Sequence, residues 1–342
     1  MSKDYEQYYI DISGVCNLSC PSCPVGNFKD SDRVGDVRSK KFMSFDLFKA
    51  IVDKIEKENS LNIPIVICLY NWGEPLLHPN ISQMIRYIKE KGFFSDVSSN
   101  LNIRSIESIL TYLPDKMIVS MSGYTQTIYE KSHRKGNIHL VLSNLYKLKS
   151  LLDKSNKKVI VEIFYHIYID NMGEDFEKVN KLCNELGFNL FADVALFMPV
   201  EKSIACLEQQ QLSTDESALI DKLLVRPNEL FDMTKPYQQE SCGQQNVISI
   251  RSDGSVSLCF PTYDRNYTIV DSFLATTKAK LLELKKTHSF CHTCKKYSLH
   301  AVVGFNMRQE LNALIDQRLS LSGSQFRMNY LKKRLNPYLM EA

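Results

Sequence analysis

Through the first 200 residues, short apolar runs alternate with longer stretches in which apolar residues recur every three or four positions. A brief run rich in β-branched residues reads as a buried strand, and a 3.6-residue apolar period reads as a helix with one buried face. Strands are therefore predicted over 8–12, 65–70, 94–98, 117–121, 159–165 and 190–196, with helices over 44–58, 81–91, 105–112, 138–152 and 174–185. Ser44 and Asn80 stand where a side chain would cap a helix start, and Gly92 and Gly187 where left-handed backbone would end one. Strict alternation of strand and helix predicts an α/β fold with a parallel sheet, because parallel neighbours need a crossover that a helix supplies.

After Pro199 the pattern turns polar through Gln209, Gln210 and Gln211, followed by a predicted helix over 214–225. Segments 247–251 and 255–258 flank Asp253-Gly254 and read as a hairpin, since Asp-Gly takes the positive φ values of a tight turn. Two more helices are expected over 309–319 and 325–335, and the polar stretch 30–41 reads as a mobile loop. The chain divides into a core over 1–200, a linker and helix over 201–240, a small second region over 241–300, and C-terminal helices over 301–342.

Composition narrows the classes. With 342 residues and 44% hydrophobic content the chain can bury a sizeable core, and a net charge of +3 is too small to argue for nucleic acid. Lys332-Lys333-Arg334 reads as solvated surface. No apolar segment follows Met1 and no run approaches membrane-spanning length, so the expectation is a cytoplasmic protein without membrane insertion. In a reducing compartment, ten cysteines read as metal ligands rather than disulfides, and seven of them fall into two spaced groups. Cys68, Cys183 and Cys206 stand outside those groups.

The first group is Cys16, Cys20 and Cys23, a Cys-x3-Cys-x2-Cys loop directly after the first predicted strand. Four thiolates usually hold a cubane cluster, so three leave one iron open to a small molecule. A zinc knuckle would need a complete tetrahedral set, and no histidine follows nearby. The motif resembles the signature of the radical S-adenosylmethionine (SAM) superfamily. That resemblance implies a partial (β/α)6 TIM-like barrel, which the six-strand count fits, with its chemistry at the C-terminal strand ends. It also implies a 4Fe-4S cluster that binds SAM, an electron donor such as flavodoxin or ferredoxin, and reductive cleavage to a radical that abstracts a substrate hydrogen.

Further stretches are similar to superfamily elements. Trp72-Gly73-Glu74-Pro75 follows the second strand and resembles Gly-Gly-Glu-Pro, whose backbone carbonyls bind the SAM ammonium, although Trp72 replaces the first glycine. Ser98 and Asn100 end the third strand, and Ser120 and Ser122 the fourth, where the resemblance implies contacts to ribose and carboxylate; turn capping explains such residues almost equally well. Arg134 aligns with an arginine that pairs with the SAM carboxylate, a fork that lysine does not copy.

The second group, Cys242, Cys259, Cys291 and Cys294, spans the hairpin and a predicted helix. It resembles the twitch-type auxiliary domain, the shortened relative of the SPASM domain, and implies a second 4Fe-4S cluster with four cysteine ligands. A four-cysteine zinc site has the same composition. His292 and His300 read as surface histidines.

On the fifth strand His166 and Tyr168 share one face and Tyr165 takes the other, which makes His166 and Tyr168 candidate catalytic residues, with Asp170, Asp193 and Glu201 as further pocket candidates. Three chemistries follow from the resemblance. Dehydrogenation of a sugar, cyclitol or other small polar metabolite leads, by analogy with an inosamine dehydrogenase built from a similar core and twitch domain. Epimerisation would use Cys206 as hydrogen donor, although a small partly buried hydrophobe is the plainer reading of that thiol. Modification of a peptide substrate is the third, lowered by the absence of a fused leader-binding domain before the first strand. A non-catalytic cluster-binding protein is disfavoured by the intact SAM motifs.

Overall fold

The computed structural model describes residues 5–27, 42–59, 62–107, 111–155, 157–303 and 308–323. Its elements run β1 (Glu6–Ile10), α1 (Pro24–Asn27), α2 (Phe45–Glu58), β2 (Ile65–Cys68), α3 (Ile81–Glu90), β3 (Phe94–Ser99), β4 (Lys116–Ser120), α4 (Gln126–Ser132), α5 (Ile138–Lys154), β5 (Ile160–Ile167), α6 (Glu174–Leu186) and β6 (Asn189–Val194). Then follow α7 (Val200–Leu207), α8 (Thr214–Ile220), α9 (Pro227–Thr234), β7 (Ile248–Ile250), β8 (Val256–Ser257), β9 (Thr268–Val270), α10 (Lys278–Thr287), α11 (Ser289–Lys296), α12 (Leu299–Val303) and α13 (Arg308–Leu321).

Among the described residues one sheet carries all nine strands in the order β6-β5-β4-β3-β2-β1-β7-β8-β9. β1 to β6 are parallel throughout, the arrangement that strand-helix alternation predicts, and the sheet stays open with β6 and β9 as its edges. The hairpin β7–β8 is antiparallel as expected. Its attachment was not foreseen: Tyr8 to Ile10 of β1 pair in parallel with Ile248 to Ile250 of β7. The second cysteine region is thereby joined to the barrel by backbone hydrogen bonds.

Alternate strand residues separate two environments. Ile10, Ile67, Val97, Met117 and Ile163 face the helices and pack on Phe48 and Ile51 of α2, Met84 and Ile88 of α3, and Leu145 of α5 in one continuous core. Their neighbours face the concave side and are largely polar. Lys116 and Glu162 form an ion pair there at 3.3 Å, each side chain only 3% exposed. Cys68, fully buried, accepts a hydrogen bond from Gln7 Nε2 at 3.2 Å.

Local signals explain most helix ends. Ser44 Oγ accepts the Leu47 N–H at the start of α2, and Gly187 ends α6 at φ 69°. Asn80 precedes α3 without a side-chain cap bond, and Lys91 rather than Gly92 is the C-cap. The expected helix over 105–112 is not found in its described parts, which are bends and a turn, while 108–110 lie outside the described residues. The helix placed over 214–225 stops at Ile220, and a further one, α9, starts at Pro227. The predicted loop 30–41 and helix 325–335 lie outside the described residues. No helix among the described residues is long and apolar enough to cross a membrane.

Candidate functional site

β1 delivers the chain to Asp11, Ser13 and then the cysteine loop at the C-terminal end of the sheet. Gly73 locks this loop to the end of β2: a Cβ there would lie 1.5 Å from the Ser13 carbonyl oxygen and 3.1 Å from that of Val15. Only glycine fits so close to backbone. The next residue continues the contact, Glu74 N donating to Val15 O at 2.8 Å. The Cys23 thiol reaches the Trp72 carbonyl at 3.9 Å, so the triplet and the turn form one unit.

Within the loop Cys16 Sγ accepts from Leu18 N at 3.4 Å and from Asn100 Nδ2 at 3.5 Å. Burial pushes the Cys16 thiol up to about 12, and Glu74 adds to this. Cys20 is also raised, by burial and then by Cys23 and Cys16, which are close enough to repel its thiolate, while Arg134 favours the charged form. Arg134 is exposed overall, and its carbonyl accepts the Ser19 N–H at 3.0 Å. Protons must therefore leave these thiols when a metal arrives.

Glu74 points inward rather than to an open site. Its oxygens accept from Ser99 Oγ at 2.7 Å, Asn100 N at 2.8 Å and Leu76 N at 2.9 Å, tying β2 to β3. Burial raises its carboxyl to about 7 against those donors. Ser98 and Ser120 are half-buried on the concave face, whereas Ser122 is fully buried and its hydroxyl accepts the His166 N–H at 3.0 Å. Ser122 thus positions β5.

The fifth strand divides as the alternation predicts. Tyr165 turns to the helix side and packs edge-on against Phe176, while His166 stands on the concave side, edge-on to Phe164 at 4.4 Å. Desolvation lowers His166 to about 4 and holds the ring neutral. Asp193 of β6 is its register partner. Tyr168 is buried at the loop, its hydroxyl donating to Ser22 Oγ at 3.1 Å. Cys206, half-buried on α7, packs with Leu212 against the cluster of Tyr168, Phe197, Leu219 and Leu223. Asp170 pairs with Lys131 at 3.4 Å beside a cavity lined by Pro21, Ser132 and Tyr168. Glu201 takes the backbone N–H groups of Tyr263 at 2.8 Å and Asp264 at 2.9 Å, so it fastens α7 to the second region.

Trp72 departs from the glycine pattern and explains itself through that region. Its indole Nε1 donates to Thr262 O at 3.3 Å, and its ring meets Tyr263 edge-on at 5.9 Å. Asp11 accepts the Trp72 N–H at 3.3 Å; burial raises its carboxyl to about 7, with Arg251 among the groups that lower it.

The four cysteines of the second group, Cys242, Cys259, Cys291 and Cys294, line one cavity, together with Lys285 and His300. Burial raises each of these thiols, and at Cys294 the other three add repulsion. His292 is exposed as expected. His300 corrects the sequence reading: it is 1% exposed, because α12 turns it inward onto the cavity. Neither ring nitrogen makes a formed hydrogen bond, although the Tyr237 and Glu240 carbonyls lie nearby. No three Cys, His, Asp or Glu side chains among the described residues converge tightly enough to hold a single metal ion. Within each cysteine group the thiols lie close enough to repel one another's charge, the gathering of donors that a shared centre requires.

The fold is shared with solved structures. Native anSMEcpe with bound AdoMet superposes over 94% of this chain and 100% of its own at TM-score 0.56 and 17% identity. The chain shares the fold of a protein solved with AdoMet bound. Streptococcus suis SuiB bound to precursor peptide SuiA matches 86% of this chain and 70% of its own at TM-score 0.54 and 13% identity. In sequence, the GTP 3',8-cyclase of Limosilactobacillus fermentum is 23% identical over 297 residues, 76% of this chain and 82% of the cyclase. A 92-residue stretch is 35% identical to the tungsten-containing aldehyde ferredoxin oxidoreductase cofactor-modifying protein of Pyrococcus furiosus, covering 27% of this chain and 23% of that protein. That match spans about a quarter of the relative's length. No family model matches the chain.

Proposed function

We propose that this protein is a radical SAM oxidoreductase that dehydrogenates a small hydroxylated metabolite. The observation that carries the reading is the single unit formed by the Cys16, Cys20 and Cys23 loop and the Gly73-Glu74 turn at the C-terminal end of the parallel sheet. Cys16, Cys20 and Cys23 would hold a 4Fe-4S cluster, and the Trp72 and Gly73 backbone, Ser98, Asn100, Ser120 and Arg134 would hold SAM. When bound, the pair supplies a hydrogen-abstracting radical by one-electron cleavage of SAM.

The chain's own residues orient and exclude. Leu18 N and Asn100 Nδ2 stabilise the Cys16 thiolate by direct hydrogen bonds. Arg134 places a positive charge near Cys20, where a SAM carboxylate would also bind. His166, held neutral, and Asp193 beside it give the concave face one donor-acceptor ring and one carboxylate, a pair suited to a hydroxyl group rather than to an anion. Phe164 stacks on Phe191 at 5.1 Å and adds an apolar wall to that face. Cys242, Cys259, Cys291 and Cys294 would hold a second 4Fe-4S cluster, which supplies a one-electron acceptor. The half-buried, apolar setting of Cys206 supports dehydrogenation over epimerisation, which needs that thiol as donor.

Anaerobic reconstitution tests the reading. Wild-type protein should carry two four-iron equivalents, and the triple Cys16, Cys20 and Cys23→Ala variant one, with no SAM cleavage. With polyol metabolites the product should be two electrons more oxidised than the substrate, and Cys206→Ala should turn over normally. Stoichiometric zinc at the second site, or an inverted product carrying one solvent deuterium, would overturn it.

A further inference from the structure

Lys285 lies on α10 and, although lysine favours the surface, is only 2% exposed. Its Nζ donates to the carbonyl oxygens of Gln244, at 2.8 Å, and Val247. It lines the same cavity as the four cysteines, and its charge is felt by Cys259, Cys242 and Cys291. The Cys291 thiol in turn reaches the Lys285 carbonyl at 3.4 Å. No carboxylate pairs with the ammonium among the described residues. Burial disfavours its charge, and the neighbouring Cys259, Cys242 and Cys291 favour it.

An ammonium taken from water without an anion is strongly destabilising, and two carbonyl dipoles compensate only part of that. The groups placed to compensate the rest are the thiolates. Lys295 also faces Cys242 and Cys291, but from a half-buried position where solvent weakens its field. We propose that Lys285 is the built-in counter-charge of the four-cysteine centre, a positioning residue that favours the more negative, reduced state of the cluster held there and so sets its potential upward. This rests on the iron-sulfur reading of that site. Charge and hydrogen bonding around the sulfurs are the levers by which a protein moves such a potential.

The test uses full-length protein carrying Cys16, Cys20 and Cys23→Ala, so that only the second cluster is reduced, in an EPR-monitored redox titration. Lys285→Gln removes the charge but keeps a side chain that donates to the Gln244 and Val247 carbonyls; Lys285→Arg keeps the charge. At a fixed potential the reduced-to-oxidised ratio should fall at least tenfold in Lys285→Gln, which is 59 mV for one electron, and stay within about threefold in Lys285→Arg. Loading of iron by the Arg variant and not by the Gln variant would also meet the proposal. Unchanged potential in a fully loaded Gln variant overturns it, as does loss of iron in both variants, which marks packing rather than charge. Zinc in the parent protein would instead defeat the iron-sulfur reading itself.

Discussion

The two cysteine sites differ in how they are built. The first takes three thiols from one short loop, sets them against a neighbouring turn through Gly73, and feels the charge of Arg134, an exposed residue. The second takes four thiols from before β7, after β8 and along α11, and surrounds them with buried Lys285 and His300. An incomplete, open ligand set suits a centre that binds and transforms a molecule. A complete set with an internal counter-charge suits one that only stores or passes an electron. Location in the chain follows from the same contrast, since a local loop needs one strand end and a four-part cage needs a finished domain.

The largest expected effect breaks the link between the sites. A chain ending at residue 240 strips β7 from β1 and leaves an unpaired apolar edge. It should aggregate on size-exclusion chromatography, whereas a monomeric product with wild-type SAM binding would show that the barrel stands alone. Next comes Gly73→Ala, which forces the turn off Ser13 and should lower SAM cleavage by about 100-fold, the scale of a ~1 Å misplacement. Gly254→Ala makes the contrast: at φ 87° with Leu47 no nearer than 3.5 Å, it should cost only about 1 kcal/mol by denaturant titration.

Acid should loosen the barrel side through its histidines. Burial lowers His133 to about 3 and His166 to about 4, each below the ordinary value of 6.5. The unfolded chain binds those two protons first, so stability is full above the ordinary value and falls as pH drops toward 4. Two such groups predict a loss of about 3 kcal/mol between pH 7.5 and 5.5, and His133→Gln should halve that slope in urea titrations. A flat profile would refute the neutral burial of both rings. At the exposed end of the first site, Arg134→Ala should weaken SAM binding by about 1–3 kcal/mol in calorimetry, with Arg134→Lys recovering little. Unchanged affinity in both returns Arg134 to the surface.

What the sequence made legible was local. The βα alternation shows because buried parallel strands are apolar runs and the helices between them carry one apolar face, as Phe48, Ile51, Val52 and Ile55 do in α2. The triplet shows because its ligands are close in sequence. The β1–β7 pairing does not show, since three residues in each strand carry no mark of a partner so far along the chain. α9 escaped for its eight-residue length in a polar stretch. His300 and Lys285 were hidden for another reason: both are polar types that favour the surface, and only the packing of α12 and α10 around the cavity turns them inward.

The sheet order also sets a timetable. β1 carries the triplet loop at its end, yet its second neighbour is β7, which leaves the ribosome long after β2 to β6 have been made. Until then β1 is bonded on one side only, and non-local pairings of this kind are slow to form. A nascent chain paused before residue 248 would therefore present the cysteine loop on a half-completed strand. Amide exchange at Tyr8, Tyr9 and Ile10 should fall sharply once Ile248 to Ile250 have emerged, which makes the earliest strand one of the last to become rigid.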